Sequence, residues 1–204
     1  MDGRDPEGRT SPDAASPEVA RTKDALRRTA LAARRALDDA DRRRASAGAV
    51  ARLLHLQEVR RARTVALYAA LAEELDPVGA LPALVERGVR TLFPRVRGER
   101  LELVAASDLL TLQLGYRGIR EPVGPAIDPA VVDVVVVPGV AFDVHGGRLG
   151  QGGGHYDRLL ATLPEGCVAI GVCFACQVVP RVPLEAHDLP VDVVVTEAGV
   201  HRRE

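Results

Sequence analysis

The chain has no tryptophan, one methionine and a single lysine, and aromatic residues make up only 3% of its 204 residues. It therefore has no set of aromatic platforms on which unpaired bases could stack, which argues against a single-stranded nucleic-acid binder. A formal net charge of −1 removes the general electrostatic case for nucleic-acid or membrane-surface partners. No apolar run reaches the roughly 18 residues that a membrane-spanning helix requires. The first stretch of the chain also lacks the apolar core of a signal peptide, so the sequence predicts a cytoplasmic protein. Cysteine is scarce and odd in number: Cys167, Cys173 and Cys176. That argues against a disulfide framework and for a reducing compartment. Cys173 and Cys176 form a C-x-x-C, but no second pair lies nearby to complete a zinc site, so they read as small apolar residues at a strand end.

What is present is an ordinary globular composition, 47% apolar and 27% charged, in a chain long enough for one substantial domain. Residues 1–16 are rich in Asp, Gly, Pro, Ser and Arg and read as a disordered tail. Residues 17–204 contain no convincing linker and read as one domain. From Pro17 to about Leu56 the apolar residues recur at spacings of three and four, with a break at Asp38-Asp39, which predicts two helices. Lys23 stands out here, because all 26 other basic residues are arginine. A lone lysine hints at a position that needs a compact ammonium, and Arg27 shares its helix face.

The pattern then alternates. Arg63–Tyr68 reads as a strand, and Asp76-Pro77 as a helix start with Asp as N-cap and Pro at the first position. That helix runs to Arg87, Val89–Phe93 is the next strand, and Leu101–Val104 is a strand at a sheet edge. Val131–Val137 is nearly all valine, as in a strand buried on both faces. A helix from His155 to about Leu163 and strands at Cys167–Phe174 and Val191–Thr196 complete the chain. The fold class is α/β: a single-domain, mostly parallel Rossmann-like sheet flanked by helices, with N-terminal helices. Glu74 falls just past a strand end, where open α/β sheets bind ligands.

Between the valine strand and the next helix, seven of the sixteen residues from Gly139 to Gly154 are glycine. Strand, glycine-rich loop and helix start make an anion site, because glycines admit close backbone approach and unpaired N–H groups face the ligand. No G-K-[S/T] follows, so the loop is not a P-loop. Gly150 and Gly152 begin a G-x-G-x-x-G, but His155 occupies the sixth position, so it is not a dinucleotide fingerprint. Arg148 before the glycine run suits phosphoryl charge, and Asp157 after it suits a magnesium ion on phosphate oxygens.

The segment from Pro138 to Leu160, PGVAFDVHGGRLGQGGGHYDRLL, resembles the signature of the 5-formyltetrahydrofolate cyclo-ligase (methenyltetrahydrofolate synthetase) family. Lys23-x-x-Leu26-Arg27, Glu74-Leu75-Asp76, Pro94-Arg95-Val96, Gly118–Pro122, His187-Asp188 and Pro190-Val191-Asp192 match its other landmarks in order. The one departure is His155, where the family has a tyrosine. The resemblance implies a ligase of one-carbon metabolism that uses ATP and Mg²⁺ to convert 5-formyltetrahydrofolate to 5,10-methenyltetrahydrofolate, ADP and phosphate.

The resemblance also distributes roles. Arg148 and Tyr156 are its catalytic residues. Lys23, Arg27, Arg148, Leu149, Gly150, Gln151, Gly152, Gly153, Gly154, His155 and Tyr156 bind ATP. Ala69 and Glu74, with Gln151, Gly152, Gly153, Gly154 and His155, contact the folate, and Tyr68 and Phe142 line its pocket. Asp157 and Asp192 hold Mg²⁺. The partners are ATP and a reduced folate, and the chain acts as a monomer. Two alternatives stay open: another phosphate-ligand enzyme on the same scaffold, such as a sugar-phosphate isomerase or CoA transferase, or a diverged, non-catalytic nucleotide or folate binder.

Overall fold

The structure, a computed structural model, describes residues 17–204, so the N-terminal tail lies outside the described residues. In chain order the helices are α1 (Pro17–Arg35), α2 (Asp39–His55), α3 (Gln57–Arg61), α4 (Leu81–Glu86) and α5 (His155–Leu160). The strands are β1 (Thr64–Ala66), β2 (Arg90–Arg97), β3 (Arg100–Ala105), β4 (Gln113–Leu114), β5 (Arg120–Glu121), β6 (Ala126–Ile127) and β7 (Val134–Val137). They continue as β8 (Ala141–Asp143), β9 (Arg148–Leu149), β10 (Val168–Val172), β11 (Val178–Val179), β12 (Val193–Val195) and β13 (Val200–Arg202).

The break at Asp38-Asp39 is a cap. The Asp38 carboxylate accepts the Asp41 N–H, which satisfies one of the unpaired donors that open α2. Asp76 caps the next helical segment in the same way by accepting from Val78. Its first turn, Pro77–Ala80, is a 3₁₀ turn that runs into α4.

The main sheet has the order β13-β12-β10-β7-β1-β2-β3-β6. The pairs from β12 through β10, β7 and β1 to β2 are parallel. Antiparallel strands flank them, β13 on one side and β3 and β6 on the other. β3 is therefore not the edge strand its sequence suggested, because the two-residue β6 pairs outside it. The valine strand explains itself in the packing. Val134 and Val136 join the core cluster that contains α2 and α4 residues, while Val135 and Val137 join the cluster on the other face with Leu159 of α5. Alternate residues of a strand point to opposite faces, so a strand covered on both sides needs apolar side chains throughout.

Chain order sets the location of the site. From β1 the chain moves to β2 on one side, and β7, β10 and β12 then add on the other. That reversal leaves a crevice beyond the C-terminal ends of β1 and β7, the topological switch point where open α/β sheets take ligands.

Candidate active site

A cavity of about 750 Å³ opens at that switch point. Tyr68 and Ala69 follow β1 into it, and Pro138 and Gly139 follow β7. The chain after Gly139 makes a hairpin before it reaches the glycine run. β8 and β9 pair antiparallel, with β11 beside β8, in a small second sheet. Asp143 is the hub of this hairpin. Its carboxylate accepts N–H groups from His145 and Gly147 across the turn and from Val182 on a distant segment, at 2.8–2.9 Å. Buried Gln177 donates to the carbonyls of Gly139 and Val140 and locks the loop entrance. Neither residue is marked out by its sequence spacing, since the partners of both lie in distant segments or across a turn.

The glycine run, Gly150 to Gly154, enters the short helix α5 through Gly154 in the left-handed region at φ 63°. Two arginines pin its carbonyls: Arg27 donates to Gly150 at 3.0 Å and Arg158 to Gly153 at 2.6 Å. Arg148 is buried at the start of the run. Its Nη2 donates to the Asp157 carboxylate at 2.5 Å, while its Nε has no hydrogen-bond partner. Its Nη1 bonds to no protein group among the described residues, and a free donor on a guanidinium that lines a cavity suits a ligand that supplies the missing acceptor.

α1 runs along the cavity and contributes Lys23, with Arg27 one turn further on. Lys23 is only 6% exposed, and its ammonium lies 2.5 Å from both Glu185 and Asp188. Burial alone lowers the lysine pKa, but the bonds to Asp188 and Glu185 outweigh it and raise the value, so the ammonium form is secured. Asp188 responds the other way. Burial pushes its carboxyl up, but the Lys23 hydrogen bond and the Glu185 N–H bring it below the ordinary range.

Glu74 lines the same cavity. One carboxylate oxygen accepts the Leu71 N–H at 3.1 Å. Burial raises its pKa against the opposing pull of that N–H and of Arg34. Tyr68, fully buried, donates to the Leu75 carbonyl at 2.7 Å and so fixes the loop that carries Glu74. Burial, reinforced by nearby Glu74, pushes the Tyr156 phenol up so that it remains a neutral donor. Pro94 and Val96 on β2, Leu101 on β3 and Ile119 supply an apolar wall opposite these polar groups.

The cavity thus brings together Lys23, Arg27, Ala69, Glu74, the whole run Arg148–Gly154, His155, Tyr156 and Asp157. Two sequence expectations differ. Asp192 is not in the cavity. It precedes β12, and in a parallel sheet the residue before a strand lies at the N-terminal edge, opposite the switch point. There its carboxylate accepts from the Ala169 N–H and from Arg203. Phe142 is fully buried in the core with Leu92 and Val137 and does not line the cavity. The carboxylate that the chain does bring to the site is Asp188. The amide of its neighbour Leu189 donates to Asp157, and the Glu185, His187 and Asp188 ligand atoms lie within 4.8 Å of one another. In the sequence Asp188 stood only as part of the landmark His187-Asp188; its role beside Lys23 needed the fold to bring residues 23 and 188 together.

A family model described as the 5-formyltetrahydrofolate cyclo-ligase family matches residues 19–197. The chain is 32% identical to the 5-formyltetrahydrofolate cyclo-ligase of Escherichia coli over 179 residues, covering 82% of this chain and 96% of that protein. It is 34% identical to the protein of that name from Mycolicibacterium smegmatis over 147 residues, covering 66% and 73%. The solved 5,10-methenyltetrahydrofolate synthetase of Aquifex aeolicus superposes with a TM-score of 0.80 at 38% identity, covering 89% of this chain and 93% of that one. With a match that takes in almost every described residue and a solved relative of the same architecture, the chain belongs to the 5-formyltetrahydrofolate cyclo-ligase family.

Proposed function

We propose that this chain converts 5-formyltetrahydrofolate to 5,10-methenyltetrahydrofolate, with ATP as phosphoryl donor and Mg²⁺ as its companion ion. The observation that carries this reading is the meeting, in one cavity, of Lys23, Arg27, Arg148 and a glycine run with Glu74 and an apolar wall. The cations and glycines suit a polyphosphate; the buried carboxylate and the wall suit a pterin with N–H donors on a flat apolar body.

In this mechanism the formyl oxygen attacks the γ-phosphate, ADP leaves, and the oxygen becomes part of a phosphate leaving group. N10 then adds to the activated carbon, which closes the five-membered ring; N10 gives up its proton to the departing phosphate, which leaves with the oxygen and so creates the methenyl bridge. Lys23 and Arg27 hold phosphate charge from α1. Arg148, whose Nη1 bonds to no protein group among the described residues, meets the charge that develops on the transferred group. Asp157 keeps the Arg148 fork oriented. Tyr156 donates its phenol proton as a hydrogen bond at the junction of the two substrates. Glu74 accepts from the folate and orients it.

The donor set near Arg148 and Lys23 fits magnesium. Asp157 Oδ1, Glu185 Oε2 and Asp188 Oδ2 are engaged by Arg148 and Lys23, but the second oxygen of each carboxylate is not, and those hard oxygens would hold the ion, with Asp188 in place of Asp192. When bound, Mg²⁺ supplies charge neutralisation of phosphate oxygens. No step needs a second copy of the chain.

The test is the near-ultraviolet absorbance of the methenyl product after mixing the protein with 5-formyltetrahydrofolate, ATP and Mg²⁺. Product must form, and omitting ATP or adding a chelator must stop it. One feature, His155, favours a non-catalytic binder instead; ATP and folate binding without product would establish that reading.

A further inference from the structure

Arg34 has no part in the cavity lining, yet it is one of the most buried charged residues described, at 3% exposure. It lies on α1 two turns beyond Arg27, on the helix face that also buries Lys23 and Ala30. Its Nη1 stands 3.9 Å from Glu74 Oε1 and its Nη2 3.8 Å from Glu73 Oε2. Neither its Nε nor its Nη1 has a hydrogen-bond partner. A guanidinium buried with unsatisfied donors is costly, and simple solubility or helix formation gives no reason to bury one here.

The other side of the contact supplies a reason. The two oxygens of Glu74 are used differently: Oε2 accepts the Leu71 N–H, while Oε1 faces Arg34. The carboxylate is thus held between a loop amide and a buried cation. A movement of about 1 Å would turn the 3.9 Å ion pair into a charge-assisted hydrogen bond.

We infer that Arg34 is a positioning residue for Glu74: from behind the cavity wall it keeps this carboxylate ionised and turned toward the folate. The inference rests on the cyclo-ligase reading of the cavity. The charged and titratable neighbours fit it. Around Arg34 are Glu73, which is bridged to Arg35, the Arg42 side chain on its carbonyl, and Cys176; around Glu74 are Tyr68, Tyr156 and Arg34. Arg42, Arg43 and Asp76 border a second hollow with Glu74, but among the described residues Arg34 is the cation whose charge opposes the rise that burial gives the Glu74 pKa.

The experiment uses the full chain with Arg34→Met, Arg34→Lys, Glu74→Gln and the Arg34→Met/Glu74→Gln pair. The readouts are KM for folate, KM for ATP, and kcat/KM for folate against pH. Arg34→Met should raise the folate KM about tenfold or more, leave the ATP KM within about twofold, and move the acidic limb of kcat/KM toward neutral pH. In the Glu74→Gln background Arg34→Met should add nothing to the folate KM. Arg34→Lys keeps the charge without the fork and should lie between parent and Arg34→Met; it carries the test alone if Arg34→Met does not fold. Equal losses for folate and ATP with an unmoved acidic limb, or losses that add in the double variant, overturn the assignment. If the parent binds 5-formyltetrahydrofolate without turnover, folate dissociation constants replace KM and the same comparisons decide. If the parent binds no folate, the cyclo-ligase reading falls and the Arg34 assignment falls with it. A fully active parent matched by Arg34→Met overturns Arg34 alone.

Discussion

Arg148 and Asp157, nine residues apart, close a 2.5 Å ion pair across the glycine run, and the arginine side of the pair is 3% exposed. One residue enters the run from β9 and the other leaves it on α5, so the pair clamps both ends of the loop. Asp157 also accepts the Leu189 amide, which ties the clamp to the segment that carries Asp188.

Arg148→Ala removes both the clamp and the free Nη1 donor. Turnover should fall by about a hundredfold or more, the usual consequence of losing a group that meets transition-state charge. Arg148→Lys should recover little, since a point charge cannot hold Asp157 and reach the phosphoryl group together. Single-turnover rates at saturating ATP are the check; a loss confined to the ATP KM would reduce Arg148 to a binding residue.

Glu74 gives a pH prediction. Its carboxyl is raised above the ordinary 4.5 by burial, and the ionised form is the acceptor for folate. As pH falls through this raised value, protonation removes the acceptor, so folate affinity should weaken at a higher pH than an exposed carboxylate would cause. Folate KM measured from about pH 7.5 down to about pH 5 should rise in the parent. In Glu74→Gln it should be high and nearly flat.

His155 lines the cavity where the family resemblance leads one to expect tyrosine, and its ring centroid lies 6.2 Å from that of Tyr116 at a tilt of 50°. That separation lies within the range of aromatic pairs. His155→Tyr keeps an aromatic ring beside Tyr116, so kcat/KM for both substrates should stay within about threefold of the parent. A larger loss would mean that the cavity uses the imidazole itself.

Much of the site was legible in the chain. The glycine run, Arg148, Asp157 and the strand-end position of Glu74 are local features, and local features survive folding. Asp192 misled because proximity to a strand does not say which end of the sheet a residue joins; the parallel pairing of β10 and β12 sends it to the far edge. Pro94 and Val96 stood in the sequence only as a landmark of the resemblance, without a place on a strand, because apolar content alone ended the strand at Phe93. The alternation Pro94-Arg95-Val96-Arg97 continues β2, with its apolar face toward the cavity. Arg34 was illegible in another sense: among 26 arginines nothing in sequence separates the buried one from the solvated ones.

The glycines separate stability from binding. Gly146 has φ 86°, and a Cβ there would run into the Val191 carbonyl oxygen. Gly146→Ala must therefore move backbone as well as adopt a left-handed conformation. It should cost about 2–3 kcal/mol and lower Tm by roughly 4–12 °C, with substrate KM values unchanged in the folded fraction. Gly152 has φ 97°, but its Cβ would meet nothing closer than Arg27, at 3.9 Å. Gly152→Ala carries only the backbone penalty of about 1–2 kcal/mol, and it carries it inside the phosphate loop. ATP KM should rise with a smaller change in Tm than for Gly146→Ala. Thermal melts and ATP titrations of the two variants side by side check this; a Gly152→Ala protein with parental ATP affinity would take the glycine run out of the phosphate site.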